Sequence, residues 1–478
     1  MEKPVCAVAT PIGHSAIATL RLTGQNTLAL VENIFQPVKK QVPLHKFPRT
    51  SLLGNIIVNN ETIDEVILVP FVAPYSFTGE EMAEIHCHGN PLIVKKIIQA
   101  LYKSGFEPAR PGDFSRRAVL NGKIDLTQAE AIREIIDARG EIELQKAQLM
   151  KEGSFRKELL RFRTTLLNLA ADLSAELDFI EEDIQFQEKP EKLKIINQIC
   201  KDVKTLLKNS EQMQILRSGY EAVLMGAPNA GKSSLLNYLI GKDRAIVSEL
   251  PGTTRDYLES ELQISGMPVK FVDTAGIRKA SGDVTEDLGM KRSKEKYKES
   301  DICLLLVDSS VSPEDQFLNE ISDLLANNKS PILILVFNKW DIVHEKWRVA
   351  IQSPAKMAEN LILSGFSEDV VKKIVMEIHP VSVKQELNTE ELRERLSVLV
   401  EQLHPHTGAI LLAQWQKEIM EKIYEELLKM ADLISSDELA EIIVSHIQNS
   451  IDLMGELTGE ITNEDLLGRI FSRFCIGK

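Results

Sequence analysis

Apolar and polar positions divide the chain into four stretches. Up to about residue 120, short apolar runs alternate with turn residues: Cys6–Ala9, Ala16–Leu22, Gly54–Val58, Glu65–Pro70 and Met82–Cys87. Runs of that length between turn formers predict strands, here in a compact α+β domain. From Asp125 to about Arg217 the spacing turns helical, with Leu159, Phe162, Leu166, Leu169, Leu173, Leu177 and Ile180 three or four apart and almost no Gly or Pro. That stripe predicts a helical bundle. Between Gly219 and about Ser382, apolar strands alternate with helices: Tyr220–Gly226, Pro268–Asp273, Asp301–Asp308, Pro331–Asn338 and Met376–Pro380. This order predicts a parallel sheet with crossover helices. After Leu387 helical spacing returns, with Leu412, Trp415, Ile419, Ile423, Leu427 and Met430 on one face. Each helical half alone leaves an apolar stripe in water, so the economical reading is one bundle interrupted by an α/β insert. The expected division is 1–121 for the first domain, 122–217 and 385–478 for the two bundle halves, and 218–384 for the insert.

Composition narrows the function classes. A length of 478 residues allows about three domains. Lys and Arg number 56 against 70 Asp and Glu, a net charge of −14, which argues against nucleic-acid binding by overall charge. Any RNA contact is then local or shared with a partner. No run of 18 apolar residues exists to cross a membrane. Five scattered cysteines without a CxxC pair fit a reducing compartment, and the start, Met1-Glu2-Lys3-Pro4, resembles no targeting signal. The cytoplasm is the expected location. Cys475 stands four from the end as in a prenylation signal, but Gly477 and Lys478 do not suit one.

The strongest chemical signal is Gly226-Ala227-Pro228-Asn229-Ala230-Gly231-Lys232-Ser233, which matches GxxxxGK[ST] between a predicted strand and a predicted helix. Glycines let backbone N–H groups wrap phosphates, Lys232 reaches the outer phosphates, and Ser233, followed by Ser234, can ligate Mg²⁺. Forty residues past Ser233, Asp273-Thr274-Ala275-Gly276 ends a strand with an acid for water-bound Mg²⁺ and a glycine able to pivot toward a γ-phosphate. Asn338-Lys339-Trp340-Asp341 ends another, where a carboxylate can accept both N1–H and the exocyclic amine of guanine. Ser382-Val383-Lys384 falls where a further base-contacting loop is expected. Together and in this order the motifs specify a GTPase fold. Ile277 stands where Ras-like enzymes carry a water-orienting Gln, so hydrolysis must be organised otherwise. Thr254 offers a second protein ligand to Mg²⁺, and Asn229 offers an oxygen through which a monovalent cation could offset transition-state charge, or else only shapes the loop.

Four blocks carry a resemblance to a known family: Ala9-Thr10-Pro11-Ile12-Gly13 with Leu20-Arg21-Leu22-Thr23-Gly24; Ser76–Glu80 through Glu84–Gly89; Arg110–Phe114 through Leu120–Glu130; and the end, Leu466–Lys478, closing on Cys-Ile-Gly-Lys. The chain resembles the MnmE (TrmE) family of tRNA-modifying GTPases over essentially its full length. The resemblance implies a P-loop, Ras-like G domain inserted in a helical domain and activated by K⁺. It also implies an N-terminal domain that dimerises and binds a tetrahydrofolate carrier, 5-formyl or methylene. The implied partner is the FAD-bearing flavoprotein MnmG (GidA), in a heterotetramer or larger, acting at C5 of the wobble uridine of tRNA. Carried over by position, Asn229, Ser248, Leu250 and Thr253 would enclose K⁺, and Ser233 and Thr254 would hold Mg²⁺. Glu286 matches the acid that positions water, with Asp283 or Asp287 as alternatives. Arg21, Glu84, Lys123 and Lys478 match folate contacts, and Cys475 a candidate thiol.

Plainer readings stand beside these. In His86-Cys87-His88, alternation on a strand sends Cys87 to the face opposite the histidines, which favours a structural role over a metal site. The stretch Glu176 to Glu188 reads as a solvated helix end. Rival functions are a GTPase factor for ribosome assembly and a folate-dependent transferase regulated by GTP.

Overall fold

The computed structural model describes residues 2–38, 43–178, 188–227, 229–242, 259–273, 300–312, 332–352, 377–403, 410, 412–461 and 464–477. They form two compact units: Met1–Asp137, Lys146–Leu207 and Ile410–Lys478 make one, and Ala138–Gln145 with Lys208–Ala409 the other.

The first unit opens with strands β1 (Val5–Val8), β2 (Ser15–Thr23), β3 (Phe35–Pro37), β4 (Leu52–Val58), β5 (Glu61–Phe71), β6 (Met82–Gly89) and β7 (Glu107–Pro108), in one sheet ordered β3-β4-β5-β6-β2-β1-β7. Alternation sorts its faces. Ala18, Leu20 and Leu22 of β2 and Ala83, Ile85 and Cys87 of β6 face the core, where helices α1 (Thr27–Glu32) and α2 (Pro91–Lys103) cover them with Leu28, Val31, Ile97 and Leu101. Thr19, Arg21, Glu84 and His86 stand on the other face. β5 begins four residues before the predicted run because its first turn is polar, and ladder hydrogen bonds need only backbone.

Helices α3 (Asp113–Leu120), α4 (Leu126–Asp137), α5 (Glu141–Lys151), α6 (Ser154–Asp178) and α7 (Lys189–Ser218) follow, α5 and α7 each running on into the other unit. The predicted stripe of α6 is buried at Leu159, Phe162, Leu166, Leu169 and Leu173; the Leu177 side chain and Ile180 lie outside the described residues. Glu176 is more than solvated: it accepts from the ammonium of Lys192, which is only 9% exposed and needs a counter-charge.

The second unit carries β8 (Tyr220–Gly226), β9 (Glu259–Ile264), β10 (Met267–Asp273), β11 (Ile302–Asp308), β12 (Ile332–Asn338) and β13 (Ile378–Pro380), with helices α8 (Lys232–Lys242), α9 (Glu345–Gln352) and α10 (Thr389–Leu403). The sheet order is β13-β12-β11-β8-β10-β9, all parallel but for the β9–β10 hairpin. Polar β9 was invisible to an apolar criterion; among its described side chains, Leu262 and Ile264 are the buried ones. β8 sits centrally between β10 and β11, so the chain leaves its carboxyl end at the switch point where α/β sheets bind ligands.

The chain then returns to the first unit with α11 (Gln414–Ser435), α12 (Ala440–Thr458) and α13 (Glu464–Phe471). Ile419, Ile423, Leu427 and Met430 of α11 are buried as the spacing predicts, and α12 packs between α11 and α6. Leu467, Ile470, Phe471 and Phe474 close on Leu126 and Ala129 of α4. The tail beyond them lies on β1, where a Cβ on Gly477 would come 2.8 Å from the Val8 carbonyl.

Candidate functional site

Three loops meet at the carboxyl edge of the second unit's sheet. The first leaves β8 at Gly226, whose φ of 133° and close approach to β11 exclude a side chain: a Cβ would lie 2.1 Å from the Leu306 carbonyl. Asn229 takes the left-handed conformation and is exposed, and Ala230 is buried. Gly231, at φ 99°, leads into α8, whose first residues are Lys232, Ser233 and Ser234. The two serines are exposed on the first turn. Lys232 is 8% exposed and donates from Nζ to the Gly226 and Ala227 carbonyls at 2.7 and 2.9 Å.

Asn338, at the end of β12, ties the loops together. It is 4% exposed; Nδ2 donates to the Ala230 carbonyl at 2.8 Å and Oδ1 accepts from Val383 N–H at 3.2 Å. Its side chain therefore supports the phosphate loop and the Ser382–Val383 loop. Ser382 is buried, its hydroxyl accepting from Gln385 N–H at 3.3 Å. Asp341 is exposed in a short turn, Trp340–Ile342. Asp273 ends β10 opposite Leu224 of β8. Thr274, Ala275, Gly276, Ser248, Leu250, Thr253, Thr254, Glu286 and its alternatives Asp283 and Asp287, and Lys478, lie outside the described residues.

Lys339 has a partner that motif reasoning missed. Its Nζ donates to Asp308 Oδ2 at 2.5 Å, and Asp308 also accepts from Ser310. The sequence signal was an acid ending β11. Burial alone would raise the Asp308 pKa, but the bonds from Lys339 and Ser310 and the Lys339 charge outweigh it and hold the carboxyl below its ordinary value. A depressed carboxyl contributes stability above its unfolded pKa that is lost as pH falls through the folded one. Asp308→Asn is therefore expected to flatten the loss of melting temperature below about pH 4, read from melting curves between pH 3 and 7; an unchanged acid limb would refute the pairing.

In the first unit, the structure pairs Arg21 with Glu84 across β2 and β6, Nε to Oε1 at 2.7 Å. His86, two residues on, shares a hydrogen bond with Thr19 at 3.0 Å. A strap from Pro74 to Glu80 runs from this sheet to α3: Thr78 Oγ1 meets Thr23 Oγ1 at 2.7 Å, Asn121 donates to the Thr78 carbonyl, and Lys123 donates to the Pro74 carbonyl at 3.0 Å. Lys123 is thus joined to the Arg21 strand through the strap. Sequence reasoning missed Arg117, 4% exposed, which holds the strap through Glu80 at 2.9 Å. Cys87 faces the core, as alternation predicts, and burial pushes its thiol up to about 11. Exposed Cys475 offers its carbonyl to Gly112 N–H at 3.5 Å. Among the described residues no three His, Cys, Asp or Glu form a metal cluster.

Two family models match the chain: "GTP-binding protein TrmE N-terminus" over residues 4–123 and "MnmE helical domain" over residues 126–475. The tRNA modification GTPase MnmE of Aquifex aeolicus is 36% identical over 483 residues, with all of each chain covered. The chain belongs to the MnmE family. MnmE relatives from Christiangramia forsetii and Leptospira interrogans are 37% and 35% identical, again over the full length of both chains. Among solved structures, a probable GTP-binding protein engB covers 38% of this chain and 99% of its own at 22% identity with a TM-score of 0.25. In this MnmE-family chain the two described sites fall in separate units, the Arg21–Glu84 face in the first and the phosphate loop in the second. No described helix is long and apolar enough to cross a membrane.

Proposed function

We propose that this chain is a tRNA modification GTPase that acts on the wobble uridine, position 34, with a flavoprotein partner of the MnmG type and a tetrahydrofolate one-carbon unit. The observation that carries it is full-length similarity to relatives named tRNA modification GTPase MnmE, combined with a phosphate loop at the sheet's switch point. Residues 218–384 serve as the G domain, 122–217 and 385–478 as the helical domain, and 1–121 as the folate and dimerisation domain of a homodimer.

Water attacks the γ-phosphate in line, and catalysis is positioning and charge stabilisation. Lys232 supplies a fixed cation beside the outer phosphates, and the amides of Ala230 and Gly231 donate to phosphate oxygens. Asn338 keeps those amides in place, and Asp341 accepts from guanine. Exposed Ser233 and left-handed, exposed Asn229 suit ligation of Mg²⁺ and K⁺, with Thr254, Ser248, Leu250 and Thr253 completing the sets. When bound, these cations offset charge on the transferring phosphoryl group. Glu286 orients the water. On the sheet face opposite α2, half-buried Arg21 and Glu84, bonded to each other, carry a donor and an acceptor that suit a pterin amide edge, with Lys123 and Lys478 for a glutamate tail and Cys475 as a candidate thiol.

GTP turnover by the full chain in K⁺ and in Na⁺ at equal ionic strength tests the least generic step. At least tenfold activation by K⁺ is expected, lost in Asn229→Ala. Equal rates in the two salts would remove the cation from the mechanism and shift weight to the ribosome-assembly reading, for which co-sedimentation with ribosomal subunits is the check.

A further inference from the structure

The amino-terminal segment is electrostatically unlike the rest of the chain. Residues 1–121 hold twelve Lys and Arg against ten Asp and Glu, in a chain whose net charge is −14. Several of those cations are spent on nearby acids: Lys3 on Glu107, Arg21 on Glu84, Arg116 on Glu2 and Arg117 on Glu80. Helix α2 differs. Its thirteen residues, PLIVKKIIQALYK, include no acid. Ile97, Ala100 and Leu101 face the core, so helical periodicity turns Leu92, Lys95, Lys96 and Lys103 outward, with Tyr102 at the margin of the stripe. All five are exposed, Leu92 by 71% and Tyr102 by 41%. Among the described residues, no carboxylate forms an ion pair with the three lysines.

The stripe is also rigidly presented. Asn90 caps the helix by accepting from Leu92 N–H at 2.9 Å, Pro91 occupies its first turn, and the buried face is anchored in the sheet's core. From Lys96 to Lys103 the cations extend about 10 Å along the axis. A polyanion meeting them gains Coulomb attraction and counterion release at little ordering cost. Leu92 and the Tyr102 ring add apolar surface for sugars and unstacked bases.

We infer that the exposed face of α2 is a docking surface for the phosphate backbone of the tRNA. This rests on the tRNA-modification reading and adds the place where RNA touches the chain. Charge chooses the occupant: an unpaired basic stripe in an acidic protein suits RNA. The face lies on the α2 side of the sheet, away from Arg21 and Glu84, so RNA held there leaves the Arg21–Glu84 face to its own ligand.

The test uses the full chain, as wild type, K95E/K96E/K103E and K95Q/K96Q/K103Q, titrated with unmodified tRNA by fluorescence anisotropy between 50 and 200 mM KCl. Each phosphate contact contributes a slope of roughly 0.9 in log affinity against log salt, so the charge reversal is expected to make the slope shallower by about 2 to 3. Affinity at low salt should fall at least tenfold, with a smaller fall for the Gln variant, while melting temperature and RNA-free GTP turnover stay unchanged. If wild type binds tRNA and both variants keep its affinity and slope, the surface is wrong while the function stands. If wild type fails to bind tRNA, the tRNA reading and this surface fall together. If the variants change the sedimentation coefficient but not RNA affinity, the stripe belongs to a protein contact and the inference is overturned.

Discussion

Lys232→Ala is expected to yield a folded protein that has lost GTP turnover by about 10²–10³-fold or more, the usual effect of removing one preorganised donor at the site of developing charge. The lysine is 8% exposed, and its ammonium is directed at the Gly226 and Ala227 carbonyls, so it is held inside the phosphate loop. Those same bonds brace the loop, so nucleotide affinity should fall as well. Folding should change little, because the carbonyls left behind face an open loop that water can reach. Lys232→Arg is not expected to rescue, since a planar guanidinium cannot replace a compact ammonium between two carbonyls. Single-turnover hydrolysis and GDP titration check both effects; hydrolysis within threefold of wild type would remove Lys232 from the catalytic set.

Legibility followed the physics of each signal. Short apolar strands bounded by turn residues announce themselves, and β8, β11 and β12 appear close to where their runs lie. The six-residue helix α1 and two-residue β7 carry too little periodic information to be read. The phosphate loop was legible because glycines and a lysine at fixed spacing have few other uses. Its supports were not. The Asn338 side chain bridges Ala230 and Val383, a role created by three loops from distant parts of the chain. Arg21 and Glu84 were singled out not as a pair, and only through family resemblance. Without it both are ordinary surface charges, and only the register of β2 against β6 makes them neighbours.

Asn338 also makes a test of whether those loops act as one body. Asn338→Ala would leave the Ala230 carbonyl and the Val383 N–H buried without their partner, at about 1–3 kcal/mol each, and should weaken GDP binding more than tenfold. Gly231→Ala should do as much for a different reason: a Cβ there would lie 2.1 Å from Asn338 Nδ2, on a backbone held at φ 99°. Both substitutions strike the same contact, so their effects cannot add. In the double variant the truncated side chain no longer meets the new methyl, and what remains is the backbone strain at residue 231 and the lost bridge. The combined loss of GDP affinity is expected to fall short of the sum by about 1 kcal/mol or more. Affinity is the better readout because a chain of two compact units need not unfold in one step. Strict additivity would mean that the phosphate loop holds its shape without Asn338, and that the asparagine serves the nucleotide directly instead.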